Sequence, residues 1–275
     1  LNNLLKVMLV NPFKAMAEMN VLGILVGAIL FGLALALTLK EDSPIGQIFS
    51  DLAQTTYRIA GWVLTTLPLG LFAITYQLAG QIDFSTVAAL AQLAGVVFAA
   101  TLFHGLIVLP FIAWWAAGLS PWKFFAAVSQ PLITALSTSS SAATLPLSMT
   151  TAETKLGVDR AKCAFVLPLG ATANMDGTAL FEGIAAVFLA YMFGIDLSAT
   201  GIVAIFLVAM LSSVGAPGIP SGSMAGMQMV MLAVGIPLEA IGLLLLIERP
   251  LDTFRTAVNV EGDLVGCLVA KRFTQ

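Results

Sequence analysis

Long apolar stretches separated by short polar clusters set the elements of this chain. A helix needs about 20 apolar residues to cross a hydrocarbon core, and residues 21–39 fit one such element. Residues 45–81 carry Asp51 and Arg58 in their first half and turn apolar after Gly61, which predicts one long helix. Residues 84–122 hold no formal charge and contain the only histidine, His104, so they can form one long tilted helix. Apolar stretches 124–152, 163–193, 197–238 and 241–270 follow. The last is marked by Asp252, Arg255, Thr256, Asn259 and Asp263, at offsets 0, 3, 4, 7 and 11. That spacing puts all five on one helical stripe.

Three stretches are not uninterrupted. Residues 124–152 contain Ser137-Thr-Ser-Ser-Ser-Ala-Ala-Thr-Leu-Pro146, and residues 197–238 contain Ser212-Ser-Val-Gly-Ala-Pro-Gly-Ile-Pro-Ser-Gly-Ser223. Between them, residues 163–193 contain Gly170-Ala-Thr-Ala-Asn174-Met175-Asp176-Gly177-Thr178. Ser, Gly, Pro and Asn break helices and free backbone groups. Inside a bilayer this is tolerated only where the broken backbone lines protein or a cavity.

Composition fixes the setting. Hydrophobic residues make up 59% of the chain and charged residues 10%, with a mean hydropathy of +0.99. A soluble domain carries roughly 25% charged residues, so the chain reads as an integral membrane protein. The net charge of −3 gives no reason to expect a nucleic-acid partner. Cys163 and Cys267 provide neither a disulfide framework nor a metal spacing. Lys123 precedes the serine-rich break, and Lys155, Arg160 and Lys162 follow it. By the positive-inside rule both ends are cytoplasmic, so this stretch should dip in and return. The second broken stretch is flanked by Asp196 and Glu239 without Lys or Arg, which predicts a hairpin from the opposite side. The chain then ends at a cytoplasmic Lys271-Arg272. Two tips reaching the midplane from opposite sides predict two gates.

Ionisable groups at bilayer depth cost roughly 2.5–3.5 kcal/mol each on insertion scales and persist where they face protein or a water-filled cavity. The stripe on the last helix is therefore either a self-neutralising ion pair or a site for a solute or ion. Arg255 can bind a carboxylate with its planar fork. Asp252, one turn earlier, can take an ammonium. With no other group expected to neutralise them, the two fit the ends of an acidic amino acid; the alternative is that they pair with each other. Hard cations such as Na+ want oxygen ligands. Asp176 and Asp263 offer charge, and unwound backbone near Gly170, Thr172, Asn174 and Asn259 offers carbonyls. Asp176 read alone is equally a helix-break residue satisfied by local amides. Hydroxyls and backbone at residues 139–141 and at the Gly218 turn would complete a cage.

Other residues are read more plainly. His104 is expected to be a packed or interhelical hydrogen-bonding histidine. Trp114, Trp115 and Trp122 read as interface anchors at a cytoplasmic end. Met224, Met227, Met229 and Met231 read as apolar packing in a mobile arm. Glu182, six residues after Asp176, falls on another face and is given no role. The glycine-rich tip lacks a lysine and a strand, so it is no phosphate loop.

Four motifs now stand in order: the serine-rich Ser139-Ser-Ser-Ala-Ala-Thr-Leu-Pro, Asn174-Met-Asp-Gly-Thr, the Gly-Ala-Pro-Gly-Ile-Pro tip, and Asp252-x-x-Arg-Thr-x-x-Asn-x-x-x-Asp263. Together they resemble the dicarboxylate/amino acid:cation symporters, the glutamate/aspartate transporter family, over nearly the whole chain. The resemblance implies an all-α integral membrane fold of the glutamate-transporter type, with eight helices and two re-entrant helical hairpins, in a multi-pass protein of the cell (inner) membrane. It implies a homotrimer in contact with membrane lipid and an elevator-type mechanism. The resemblance begins near Asn11-Pro-Phe, in the later part of the fourth helix, so the first three helices are expected to be missing. Residues 1–82 would be what remains of the scaffold and trimerisation domain. Residues 83–275 would be the transport domain, with hairpins at about 122–156 and 197–238.

Site residues follow from the same resemblance. It implies substrate contacts at Ser141, at backbone near Ser139 and Ile219, and at Thr178, Asp252, Arg255, Thr256 and Asn259. One Na+ would take Asp263 with carbonyls of Gly170, Asn174 and Asn259. A second would take carbonyls of Thr172, Ser213, Val214 and Ala216. A third would use Asn174 and Asp176 with groups from the missing third helix. The C4-dicarboxylate branch lacks acids at the Asp252 and Asp263 positions, so their presence favours an amino acid and Na+ coupling. Some members carry an Arg at the positions held here by Ser139 or Thr253, and Arg249 is a possible substitute. The competing readings are a proton-coupled or dicarboxylate carrier and an anion channel. An enzyme is not expected, because an intramembrane hydrolase needs a Ser/His or His/metal arrangement and the one histidine lies apart from the polar motifs.

Overall fold

The computed structural model describes residues 9–18, 20–40, 43–66, 68–70, 72–73, 76, 83–214, 216, 218 and 221–273. Among them there are helices and no strands, as the apolar pattern predicts. They fall into two compact units, Leu1–Asp83 and Phe84–Gln275.

In the first unit, α1 (Pro12–Ala17) starts on a proline and is capped by Asn11, whose Oδ1 accepts from the amides of Phe13 at 2.9 Å and Lys14 at 3.4 Å. Proline at the first helical position loses nothing, because its missing N–H would have had no partner there. Next, α2 (Val21–Thr38) fills the predicted 21–39 stretch. The following helix, α3 (Pro44–Thr65), is shorter than the single helix expected over 45–81. It gives way to a turn at Thr66. Pro68 has no N–H for the carbonyl four residues back, and its ring crowds that turn.

The second unit begins with α4 (Phe84–Phe103), which passes through a π-helical segment, His104–Val108, into α5 (Leu109–Ala117). Together they form a continuous 34-residue stretch of mean hydropathy 2.3, long and apolar enough to cross a membrane. The expected helix over 84–122 therefore ends early. Gly118 adopts a left-handed φ of +65° and closes the helix, a conformation that costs glycine least. The next helix, α6 (Pro121–Thr138), starts on its own proline.

Each expected break is present and narrower than its polar motif. α6 and α7 (Ser141–Thr154) are separated only by Ser139 and Ser140, so Pro146 lies inside α7. Ser139 takes φ +49°, and the Ser140 hydroxyl accepts from the Ala143 amide at 3.2 Å to cap α7. Serine hydroxyls replace lost backbone partners in this way. α8 (Arg160–Ala173) and α9 (Asp176–Met192) part at Asn174 and Met175. α10 (Ala199–Val214) and α11 (Ser223–Val234) flank the Gly/Pro-rich tip.

The last helix, α12 (Ile241–Phe273), is the hub. It packs against α4, α5, α6, α7, α8 and α9, and Phe124, Val128, Leu167, Leu264 and Leu268 share its core. Burial runs opposite to that of a soluble protein. Arg255, Glu182, Glu248 and Glu261 are buried, while Phe84, Phe111, Trp122, Phe165 and Phe206 are exposed. Charges inside and large apolar side chains outside is the arrangement a lipid surround demands. The methionine arm packs as expected, with Met227 and Met231 fully buried.

One end of this unit gathers the basic residues. Lys271 Nζ donates to the Leu156 carbonyl at 3.2 Å, beside Lys155. The Arg272 guanidinium stacks 4.4 Å from the Trp115 ring and donates to that residue's carbonyl. Trp114, Trp115 and Trp122 are all largely exposed, as interface anchors should be.

Candidate functional site

The breaks of α6/α7, α8/α9 and α10/α11 converge on the polar face of α12. Between the first and third, the Ser140 hydroxyl donates to the Gly218 carbonyl at 2.8 Å and the Ala142 amide donates to the same oxygen at 3.2 Å. Gly218 has no room for a side chain there, since a Cβ would lie 2.8 Å from the Ala171 carbonyl oxygen. The two tips and the end of α8 thus meet backbone to backbone.

Beneath them lies a small cleft, open at its mouth. Ser139, Ser141, Met175, Thr178, Gly218, Gly222, Ser223, Asp252, Thr256 and Asn259 line it. Six of the expected substrate residues are therefore together: Ser139, Ser141, Thr178, Asp252, Thr256 and Asn259. Ile219 lies outside the described residues. The first turn of α9 is tied to α12 by Asn259, whose Oδ1 accepts from the Gly177 amide at 2.8 Å and whose Nδ2 donates to Thr178 Oγ1 at 3.2 Å. These bonds satisfy an N-terminal helix donor that otherwise has no partner. Gly177 permits the approach, because a Cβ there would stand 2.7 Å from the Arg255 carbonyl oxygen.

Arg255 sits behind the cleft wall, 1% exposed, with its guanidinium 4.1 Å from the Phe181 ring centroid. Its Nη2 donates to Glu248 Oε1 at 2.8 Å and to Asp252 Oδ1 at 3.0 Å. The expectation that Arg255 and Asp252 lack other neutralising groups is therefore overturned. Glu248 neutralises Arg255, and Arg249 Nη1 lies 3.6 Å from Asp252 Oδ2. Of the two readings left open for the Arg255–Asp252 pair, mutual pairing is the one adopted in this structure. Two guanidinium donors, Nε and Nη1, are buried without a hydrogen-bond partner among the described residues.

Glu248 is the residue the sequence reading missed. It is 1% exposed and accepts from Ser221 Oγ at 2.9 Å, while the Ser221 amide donates to Asp252 Oδ2 at 3.0 Å. The tip between α10 and α11 is thereby latched to the acids of α12. A signal existed. Glu248 lies four residues before Asp252 and extends the same stripe. Glu182, given no role, is fully buried and accepts from the Ser212 hydroxyl. Gly226 of α11 leaves space for its carboxylate, which a Cβ would overlap.

Of the expected cation ligands, Gly170, Asn174 and Asp263 lie together at the α8/α9 break. Asn174 Nδ2 donates to Asp263 Oδ1 at 3.1 Å. Gly170 faces the Asp263 carboxylate so closely that a Cβ would stand 2.9 Å from its Cγ. The glycine thus leaves a cradle beside a buried carboxylate. That cradle, with its oxygen donors, fits a hard cation such as Na+. The Gly170 carbonyl accepts from the Asn174 amide at 2.8 Å, and the Ser213 carbonyl accepts from the Ala216 amide at 3.2 Å. Each keeps a second lone pair. Thr172 is exposed, Ser213 and Ala216 are buried, and Val214 ends α10. Among the described residues no three His, Cys, Asp or Glu side chains are grouped to hold a metal.

His104 proves to be interhelical, as expected, and it does not lie apart from the polar motifs. Its Nε2 is 3.2 Å from Asp176 Oδ2, across 72 residues of chain that hid the contact from the sequence.

Comparison with known proteins agrees with this architecture. The profile of the Sodium:dicarboxylate symporter family matches residues 1–273. Excitatory amino acid transporter 3 of Mus musculus is 37% identical over 260 residues, which is 93% of this chain and 49% of that protein. Excitatory amino acid transporter 1 of the same species is 36% identical over 258 residues, 93% of this chain and 48% of that protein. A Caenorhabditis elegans excitatory amino acid transporter is 36% identical over 259 residues, 94% of this chain and 52% of that protein. The chain spans about half the length of the curated relatives it matches.

Proposed function

Because this chain belongs to the sodium:dicarboxylate symporter family, we propose that it carries glutamate or aspartate across a membrane, driven by Na+. The observation that carries the reading is the cleft where both hairpin tips meet the Asp252–Asn259 face of α12. Asp252 would take the substrate ammonium, Ser139 and Ser141 the main carboxylate, and Arg255 the second carboxylate. Asn259, Thr178 and Thr256 would hold the remaining polar atoms. For Arg255 to engage substrate, its bond to Glu248 or Asp252 must be shared or exchanged, and its two unpartnered nitrogens give it donors to do so.

Na+ would bind beside Asp263 with the carbonyls of Gly170, Asn174 and Asn259. A second ion would bind under the closed tip at Thr172, Ser213, Val214 and Ala216. Asn174 and Asp176 would serve a third. Each ion supplies positive charge that the acids of the site otherwise lack, so filling the sites and closing the tip favour one another. The unit from residue 84 would move as the transport body against a scaffold formed by the first unit, in a homotrimer of the cell (inner) membrane. The acids at 252 and 263 favour an amino acid over a C4-dicarboxylate and Na+ over a proton. The test is radiolabelled aspartate uptake into proteoliposomes with and without an inward Na+ gradient, using the full-length protein. Saturable uptake that requires Na+ is expected; non-saturable anion flux, or uptake that follows a proton gradient alone, overturns the proposal.

A further inference from the structure

We infer that the basic end of α12 seats the headgroup of an anionic phospholipid at Lys271 and Arg272, with an acyl chain along the exposed face of α5. Lys271 Nζ donates to the Leu156 carbonyl at 3.2 Å and stands 3.4 Å from where a Cβ on Gly157 would lie. The Arg272 guanidinium stacks on the Trp115 ring and donates to the Trp115 carbonyl. Two consecutive residues of α12 thus reach the α7/α8 connection on one side and the end of α5 on the other. Those two segments adjoin, since Leu156 and Val158 share one apolar cluster with Ala116 and Leu119. Lys271 and Arg272 therefore mark the two sides of one patch.

Charge defines the headgroup. Short connections join α5 to α6 and α7 to α8 at this end, so Lys123, Lys155, Arg160 and Lys162 gather beside Lys271 and Arg272. Against these six basic side chains stand Glu153 and Asp159. Asp159 is committed to the start of α8, where it accepts from the Ala161 amide at 2.9 Å. Neither Lys271 nor Arg272 has a carboxylate partner among the described residues. Each keeps donors in reserve, since an ammonium carries three N–H groups and a guanidinium five. A point charge beside a planar fork suits the oxygens of a phosphodiester.

The surface beside the patch points to a lipid and not to a free phosphate. Ile107, Phe111, Trp114 and Trp115 are all exposed, and their spacing of three and four puts them on one helical face. The Phe111 and Trp114 rings lie 5.8 Å apart, and the Trp115 ring lies 6.0 Å from Phe273. From Ile107 to Trp115 the strip rises about 12 Å at 1.5 Å per residue, close to the roughly 15 Å of one leaflet. An acyl chain can lie along it while the phosphate stays at Lys271 and Arg272. A soluble anion would use the charges and leave the strip bare. Tryptophan belongs at headgroup level, and basic pockets between membrane helices bind anionic headgroups. None of these residues belongs to the cleft or to the cation cradle, so the inference stands or falls apart from the substrate reading.

The test titrates purified full-length protein in neutral detergent with phosphatidylglycerol and, separately, with phosphatidylcholine, counting bound lipid by native mass spectrometry. Wild type is expected to prefer phosphatidylglycerol. Lys271→Gln combined with Arg272→Gln should cut that preference by about fivefold for each charge removed. Lys271→Arg combined with Arg272→Lys should keep it. Lys40→Gln combined with Arg58→Gln, which removes the same charge from the first unit, should leave it unchanged. A wild-type preference in the Lys271→Gln, Arg272→Gln variant overturns the seat. An equal loss in the Lys40→Gln, Arg58→Gln variant makes the effect one of net charge and overturns it as well. Glycerol phosphate that displaces phosphatidylglycerol at equal concentration makes the patch a free-anion site and overturns the lipid. If the Lys271→Gln, Arg272→Gln variant does not fold, Arg272→Gln alone, at an exposed position, decides by the same ratio.

Discussion

Replacing Arg255 by Gln should destabilise the protein mainly through Glu248, and a second change at Glu248 should restore much of the loss. Arg255 bridges two buried acids, at 2.8 Å to Glu248 and 3.0 Å to Asp252. Removing one partner of a buried ion pair costs about 3–5 kcal/mol, because the other charge stays buried and uncompensated. The two acids are not equally exposed to this loss. Asp252 retains Arg249 at 3.6 Å and the Ser221 amide at 3.0 Å. Glu248 retains only serine hydroxyls, at 2.9 Å from Ser221 and 3.5 Å from Ser223. The cost therefore belongs near the lower end, about 3 kcal/mol. Converting Glu248 to Gln in the Arg255→Gln background removes the stranded charge and should recover about 2 kcal/mol, within the range for residues in one network. Unfolding of wild type, both single variants and the double variant would be followed by SDS titration in mixed micelles. Additive effects, with the double variant as unstable as the sum of the singles, would refute the claim that Glu248 depends on Arg255.

Further outcomes concern the cation cradle and the tip. Asp263→Asn should weaken Na+ dependence strongly, with aspartate affinity recovering at high Na+ because one ligand offsets weakened binding of the other; a wild-type Na+ midpoint by titration would contradict the assignment. Gly170→Ala places a methyl against the Asp263 carboxylate and should lower Na+ affinity at least about tenfold, the equivalent of 1.4 kcal/mol, as read by Na+-dependent aspartate binding. Ala216→Cys should be labelled by an impermeant thiol reagent from outside in the free state and protected by substrate with Na+; labelling only from the cytoplasm would reverse the predicted sidedness.

The comparison of sequence and structure divides along the range of the forces involved. All three helix breaks were legible, because serine hydroxyls, Asn174 and the Gly/Pro tip act on backbone within a few residues. Their widths were not, since α7 starts at Ser141 and carries Pro146 within it once neighbouring helices hold it in place. The stripe from Asp252 to Asp263 was legible as periodicity, and the cleft uses one face of it. The early end of α3 was signalled by Pro68 but masked by the apolar run that follows.

What a sequence determines by itself is which groups share a helix face and where a helix must stop, since both follow from bonds and angles along the chain. Which charge meets which is decided by packing. Arg255 could have stood free or paired; Glu248, seven residues away, settled it by reaching the same guanidinium nitrogen. His104 and Asp176 are 72 residues apart, and only the seating of the π segment of α4 and α5 beside α12 and α9 brings them together. Glu182 meets Ser212 because α9 and α10 pack side by side. In an apolar medium a polar group must find its partner within the protein or remain costly, so tertiary packing decided the pairing that the one-dimensional pattern left open.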